Sequence, residues 1–157
     1  MTGTDLMPRF AAVAPLDVFG IHVAELTDRL GLPDERLTVY EDPPQSTLHP
    51  AMGRRRAYLH LCRWTSLGLS LIEAMTIGMP VIALATTEAV AAVPPDAGVV
   101  ATDVRTLVDA AQWLLDEPEE ARRLGQRARQ VARERYGLDR FLADWDRLLE
   151  DELCASR

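Results

Sequence analysis

Short runs of Val, Ile, Leu and Ala alternate along the chain with stretches in which apolar residues recur every third or fourth position. This is the pattern of strands and helices in alternation that builds a mostly parallel sheet. The runs predict strands at 10–14, 37–40, 57–61, 81–85 and 99–101. Between the first two, 21–30 reads as a helix with Ile21, Leu26 and Leu30 on its apolar side, stopped by Gly31 with Pro33 just beyond. Residues 45–56 form a weaker helical pattern because Pro50 and Gly53 interrupt it. The segment 70–77 is apolar on nearly every side and closed by Gly78, which predicts a buried helix between two strands.

After Ala101 the strand signals end and the helices lengthen. Asp103 is placed to cap a helix in which Val104, Leu107, Ala111, Leu114 and Leu115 form one stripe. Glu119 and Glu120 open the next helix, where acidic side chains meet the positive end of the helix dipole, and Ala121, Leu124, Ala128 and Val131 face inward. The last helix, about 139–153, sets Phe141, Trp145, Leu148 and Leu149 in a broad apolar stripe. That stripe either covers the chain's own sheet or, left exposed, takes a partner protein or a second copy. The expected architecture is α/β: one domain over 1–157, with a Rossmann-like parallel sheet at about 9–101 and extra C-terminal helices at about 103–153, packed at its edge.

Composition narrows the function classes. The 157 residues are 48% hydrophobic and 26% charged, the balance of one soluble domain. A net charge of -7 argues against general binding to nucleic acid. All seventeen basic residues are arginine, so any cation this chain brings to an anion is arginine or histidine. Cys62 and Cys154 belong to no zinc-binding spacing, and no metal site is expected; both read as free thiols in a reducing cytoplasm. Residues 1–9 lack the pattern of a secretory signal, and the longest apolar run, 67–85, is broken by Glu73, Gly78 and Pro80, so a cytoplasmic protein without a transmembrane segment is expected.

The chemistry concentrates in 60–83, HLCRWTSLGLSLIEAMTIGMPVIA. Here a strand ends, a loop turns at Gly68, and a helix begins at the carboxyl edge of the sheet, where ligands bind in such folds. The first N–H groups of that helix lack internal partners and suit an anion, Gly68 lets a phosphate approach the backbone, and Ser70 adds a hydroxyl. Glu73, one turn further on, is placed to accept hydrogen bonds from a diol such as ribose. Phosphate and diol together point to a nucleotide. Each element has a plainer reading: Gly68 as a tight turn, Glu73 as a solvated helix residue, Thr65 and Ser66 as helix caps, His60 as a strand-end histidine, Arg54 to Arg56 as a solvated helix end. No GxGxxG follows the first strand, no lysine completes a P-loop, and GLSLIE is not a GxSxG elbow.

Gly68-Leu69-Ser70-Leu71-Ile72-Glu73-Ala74-Met75, then Gly78, then Pro80-Val81-Ile82-Ala83, resembles the donor-binding motif of retaining GT-B glycosyltransferases, especially the group called family 4. The likeness continues through Gly98-Val99-Val100 and the helix junction at 114–118. It implies a glycosyltransferase-type protein that binds a nucleoside-diphosphate sugar, with a UDP- or GDP-sugar as donor substrate and no cofactor. Gly68 and Leu69 would give backbone N–H groups to the diphosphate, Ser70 would assist and Glu73 would hold the ribose. His60 and Arg63 on the same loop would help neutralise phosphate. Where the family places a sugar-binding glutamate eight positions before Glu73, this chain has Thr65, which offers a hydroxyl in place of a charge. Neither the family's acceptor domain nor the opening strand-and-helix unit of its donor domain is recognisable. The resemblance therefore implies a catalyst that is incomplete alone, completed by an acceptor-domain protein or a second copy through the Phe141, Trp145 and Leu148 helix. The alternative is a non-catalytic remnant that binds a nucleotide sugar or a protein.

Overall fold

β4 (Val81–Leu84) is buried at every residue and organises the domain. Its side chains alternate between two cores, as the pleat requires. Val81 and Ala83 pack with Leu71, Met75, Ala128 and Val131, whereas Ile82 and Leu84 pack with Phe10, Leu107, Leu114 and Leu124. β4 pairs in parallel with β3 (Tyr58–His60) on one side and β5 (Gly98–Ala101) on the other. One core is covered by α4 (Leu69–Ile77), the short α5 (Ala89–Ala92) and α7 (Pro118–Tyr136); the other is covered by α1 (Met7–Ala11) and α6 (Val104–Asp116). The computed structural model describes residues 3–155. The fold is α/β, with parallel strands and covering helices.

The parallel strands are divided into two sheets, where the sequence predicts one. β1 (Leu16–Gly20) pairs only with β2 (Leu37–Glu41), and a cleft of about 680 Å³ separates β1 from β3. Arg55 reaches across from β3's approach to Asp17 of β1, donating from Nε, and its Nη2 donates to the Tyr40 hydroxyl at 3.3 Å. Arg55 is thus tied into the fold and is no solvated helix end.

Three further elements differ from the sequence pattern. Residues 10–14 are not a strand: Phe10 and Ala11 close α1, whose first turn holds Pro8, where the missing N–H costs no helical hydrogen bond. The first strand instead begins after Pro15, in Leu-Asp-Val-Phe-Gly, where Asp17 hides the apolar alternation until its partner Arg55 is known. α2 is only Leu26–Leu30, because the Glu41 carboxylate holds the N–H groups of His22, Val23 and Ala24 at 2.6, 2.8 and 2.9 Å and keeps them out of a helix. α3 (Gln45–Met52) ends at Gly53, before the three arginines.

At the C-terminal end α6 is capped by Asp103, whose carboxylate accepts from the Thr106 N–H at 3.0 Å. α6 and α7 pack on the sheet as expected. α8 (Leu138–Ala155) does not: Phe141, Leu142, Trp145, Leu148 and Leu149 are all about half exposed, so the stripe covers no sheet of this chain. Among the described residues no helix is long and apolar enough to cross a membrane. Cys62 is half-buried and Cys154 is exposed, both as free thiols.

Candidate functional site

β3 ends at His60, and the loop 61–68 carries the chain over the carboxyl edge of the sheet to α4. The loop after β4 braces it: the Thr86 hydroxyl donates to the Cys62 carbonyl at 2.8 Å and the Thr87 hydroxyl to the Ser66 carbonyl at 3.0 Å. Gly68 precedes α4 at φ 80° and ψ 111°, and no side chain caps the helix. Thr65 and Ser66 are therefore not its caps. The Leu71 N–H turns back to the Gly68 carbonyl at 3.1 Å, which leaves the N–H groups of Leu69 and Ser70 at the open, positive end of the helix. The Leu69 side chain stands 82% exposed beside them.

A polar floor lies under this helix start. The Tyr58 hydroxyl donates to Ser70 Oγ at 2.9 Å and lies 3.5 Å from His60 Nδ1. Burial pushes the Tyr58 phenol up, which keeps it a proton donor. His60 is buried, and burial pushes its imidazole below the ordinary value, so the ring is neutral at pH 7. Its Nε2 has no partner among the described residues and is free to form a hydrogen bond. Arg63 is exposed, and its Nη2 is paired with Asp5 at 2.7 Å. A Cβ placed on Gly68 would lie 3.1 Å from His60 Cε1 and 3.9 Å from Thr65 Cγ2, so Gly68, His60 and Thr65 do converge.

Glu73 is half-buried, and with Ser70 it lines the cleft at the carboxyl ends of β1 and β3. Its Oε2 is 3.9 Å from His49 Nε2, on α3. No sequence pattern points to this neighbour, because His49 lies in an interrupted helix pattern and meets Glu73 only through the packing of α3 on α4. Among the described residues no group of three or more His, Cys, Asp or Glu is arranged to hold a metal ion.

Across the cleft, Glu41 fills the backbone concavity formed by His22, Val23 and Ala24, with His22 at φ 59°. Sequence reasoning overlooked it, since a lone glutamate after a strand carries no signature. The three N–H donors, chiefly those of His22 and Val23, hold the Glu41 carboxyl below its usual range. A lowered carboxyl pKa stabilises the fold above the unfolded value, about 4.3, and that stability is lost as pH falls through the folded value. Glu41→Gln is thus expected to be less stable than the native chain at pH 7, with the gap closing below about pH 4. Urea unfolding midpoints from pH 7 to pH 3 check this; a gap independent of pH would contradict it.

The parts assembled at this edge are an uncapped helix start led by a glycine, a neutral hydrogen-bonding floor and one inward carboxylate. They define an α/β domain with a site able to take an anion and a hydroxyl-bearing group together. The chain belongs to the family described as glycosyl transferases group 1, whose profile matches residues 23–131, well over half of its length. Among curated proteins no sequence matches it closely enough to assign a relative. Solved structures share the fold. A sucrose-phosphate synthase from Thermosynechococcus elongatus superimposes with a TM-score of 0.84 at 22% identity, over 98% of this chain and 43% of that one. Anabaena Alr3699/HepE, solved in complex with UDP, gives 0.79 at 16% identity over 93% of this chain and 44% of that one. A glycosyltransferase from Rickettsia africae gives 0.79 at 15% identity, covering 98% and 45% respectively. The chain thus spans less than half the length of the structures it matches.

Proposed function

We propose that this chain is the donor-binding part of a retaining glycosyltransferase and takes the nucleoside diphosphate of a UDP- or GDP-sugar at the start of α4. One observation carries the reading: Gly68, at positive φ, opens an uncapped helix whose next turn holds the half-buried Glu73. Gly68 and Leu69 present N–H groups to the diphosphate, Ser70 adds its hydroxyl, and Glu73 accepts from the ribose hydroxyls. Thr65, beside Gly68, and the unpartnered Nε2 of His60 are left for the sugar or a phosphate oxygen. Support comes from the family and from the UDP held by HepE, a protein of the same fold. The acceptor side lies in polypeptide outside these residues, and the exposed Phe141, Trp145 and Leu148 face of α8 is where such a partner or a second copy docks. No cofactor is required, and the reaction takes place in the cytoplasm.

Titration calorimetry with UDP, GDP and their glucose and mannose derivatives tests this. At least one is expected to bind, with affinity lowered tenfold or more in Glu73→Ala, whose side chain is open enough to be removed without unfolding the domain. If none binds, alone or with a co-expressed acceptor protein, the donor role is wrong. The exposed stripe favours the second reading, an interaction module. That reading gains if nucleotides fail to bind while Trp145→Ser turns a self-associating chain into a monomer.

A further inference from the structure

β1 and β3 each have a strand partner on one side only. The parallel register fixes which backbone groups those pairings use. The Leu16 N–H donates to the Arg36 carbonyl, and the Gly20 carbonyl accepts from the Asp42 N–H. Leu16, Val18 and Gly20 therefore turn their N–H and C=O groups toward β2, and Asp17 and Phe19 turn theirs away from it. In the same way the Tyr58 N–H donates to the Pro80 carbonyl, which commits Tyr58 and His60 to β4 and turns the backbone of Leu59 away.

Of these, Leu16 to Gly20 of β1 and Tyr58 and Leu59 of β3 line the cleft of about 680 Å³. Its other two walls are apolar side chains: Met7, Phe10 and Leu115 from helices on one face, and Leu48 and Met52 of α3 with Met79, just past α4, on the opposite one. A space with strand edges on two sides and apolar cover on the other two has the surroundings of a central strand in a parallel sheet, which is buried on both faces. Every residue of β1 is only half-buried, whereas every residue of β4, the strand that does have two neighbours, is buried.

We propose that the cleft receives an extended apolar segment of another polypeptide as a parallel strand between β1 and β3, joining the two sheets into one. The inserted strand would match the five residues of β1, roughly 17 Å of extended chain. A compact apolar ligand would fill the volume yet leave the donors and acceptors of Asp17, Phe19 and Leu59 unpaired, which only a backbone corrects along its whole length. The incoming residues need no charge, because the one ionised side chain of β1, Asp17, is already matched by Arg55. They should be β-branched and apolar on both faces. A second copy of this chain does not supply the strand, since among the described residues every strand is already paired within its own sheet. The matched structures are chains more than twice as long, so each holds polypeptide with no counterpart in this one. Because the insertion is parallel, its C-terminal end arrives beside Ser70 and Glu73.

The test uses the native chain and a soluble peptide of five alternating valines and isoleucines flanked by lysines, with the same peptide carrying two internal prolines as control. Amide hydrogen exchange is followed by NMR. In the chain alone the amides of Asp17, Phe19 and Leu59 should exchange faster than those of Val18 and Tyr58. The valine–isoleucine peptide is expected to slow the first three at least tenfold and raise the unfolding temperature, and the proline peptide to do neither. Already-slow amides in the chain alone, unchanged exchange with either peptide, or equal protection by both would overturn the inference. So would protection that grows with the concentration of the chain alone, which would assign the cleft to self-association. None of these outcomes depends on whether the chain binds a nucleotide.

Discussion

Gly125→Ala is expected to destabilise the domain by about 3 kcal/mol, the upper end of ordinary overpacking, and Gly125→Leu to prevent folding. α7 crosses α4 where their backbones nearly touch: a Cβ on Gly125 would lie 2.1 Å from the Gly78 carbonyl oxygen, 3.0 Å from its carbon and 3.2 Å from Pro80 Cδ. The first two obstacles are backbone atoms, so no rotamer change relieves the clash, and α7 must lift away from the core formed by Ala128, Val131 and Ala132. For a domain of this size such a loss lowers the unfolding temperature by roughly 6–12 °C. Gly53→Ala is the matched control. Its Cβ would meet nothing closer than 3.4 Å at helical φ, and the variant should be neutral or slightly more stable. Thermal and urea unfolding of the two variants decide the matter, and equal midpoints would show that α7 does not depend on this contact. The site depends on it too, because the same helix α4 that bears on α7 carries Ser70 and Glu73.

Gly68→Ala is expected to have the largest effect on ligand binding. At φ 80° and ψ 111° an alanine is strained by about 1–3 kcal/mol, and its Cβ would also press on the His60 ring at 3.1 Å. Relief requires rotating the peptide that leads into α4, which swings the Leu69 N–H away from the anion position. UDP or GDP affinity should fall at least tenfold, with the unfolding temperature lowered by several degrees. Ser70→Ala, which loses only the hydroxyl held by Tyr58, should bind more nearly as the native chain does. If Gly68→Ala loses stability but binds nucleotide as well as the native chain, the helix start is not the diphosphate site.

The candidate site was legible in part. Gly68, Ser70 and Glu73 could be placed on one turn of helix because their spacing is local and the flanking apolar runs force a strand before and after them. His60 was legible as a neighbour of that turn but not as a neutral ring, since its charge depends on how completely other segments exclude water from it. Glu41 and His49 were invisible. Each acts through a contact made only when separate elements pack: Glu41 with backbone eighteen residues or so away, His49 with a helix whose pattern is its own. The strand at 16–20 was hidden by an aspartate whose partner lies thirty-eight positions further on.

What the sequence determined by itself was the alternation of strands and helices from residue 37 to 84 and the run of helices after Ala101, the family, the buried character of the helix before β4, and the punctuation at Gly31, Gly78 and Asp103. These follow from side-chain periodicity and from the backbone preferences of single residues, which act over a few positions. Only the tertiary structure decided that the parallel strands form two sheets with a cleft between them, that Arg55 and Arg63 are bound in ion pairs, and that the α8 stripe covers nothing of its own chain. Pairing, burial and vacancy are relations between segments distant in the chain, and they acquire an energy only when folding brings those segments together and removes water from between them.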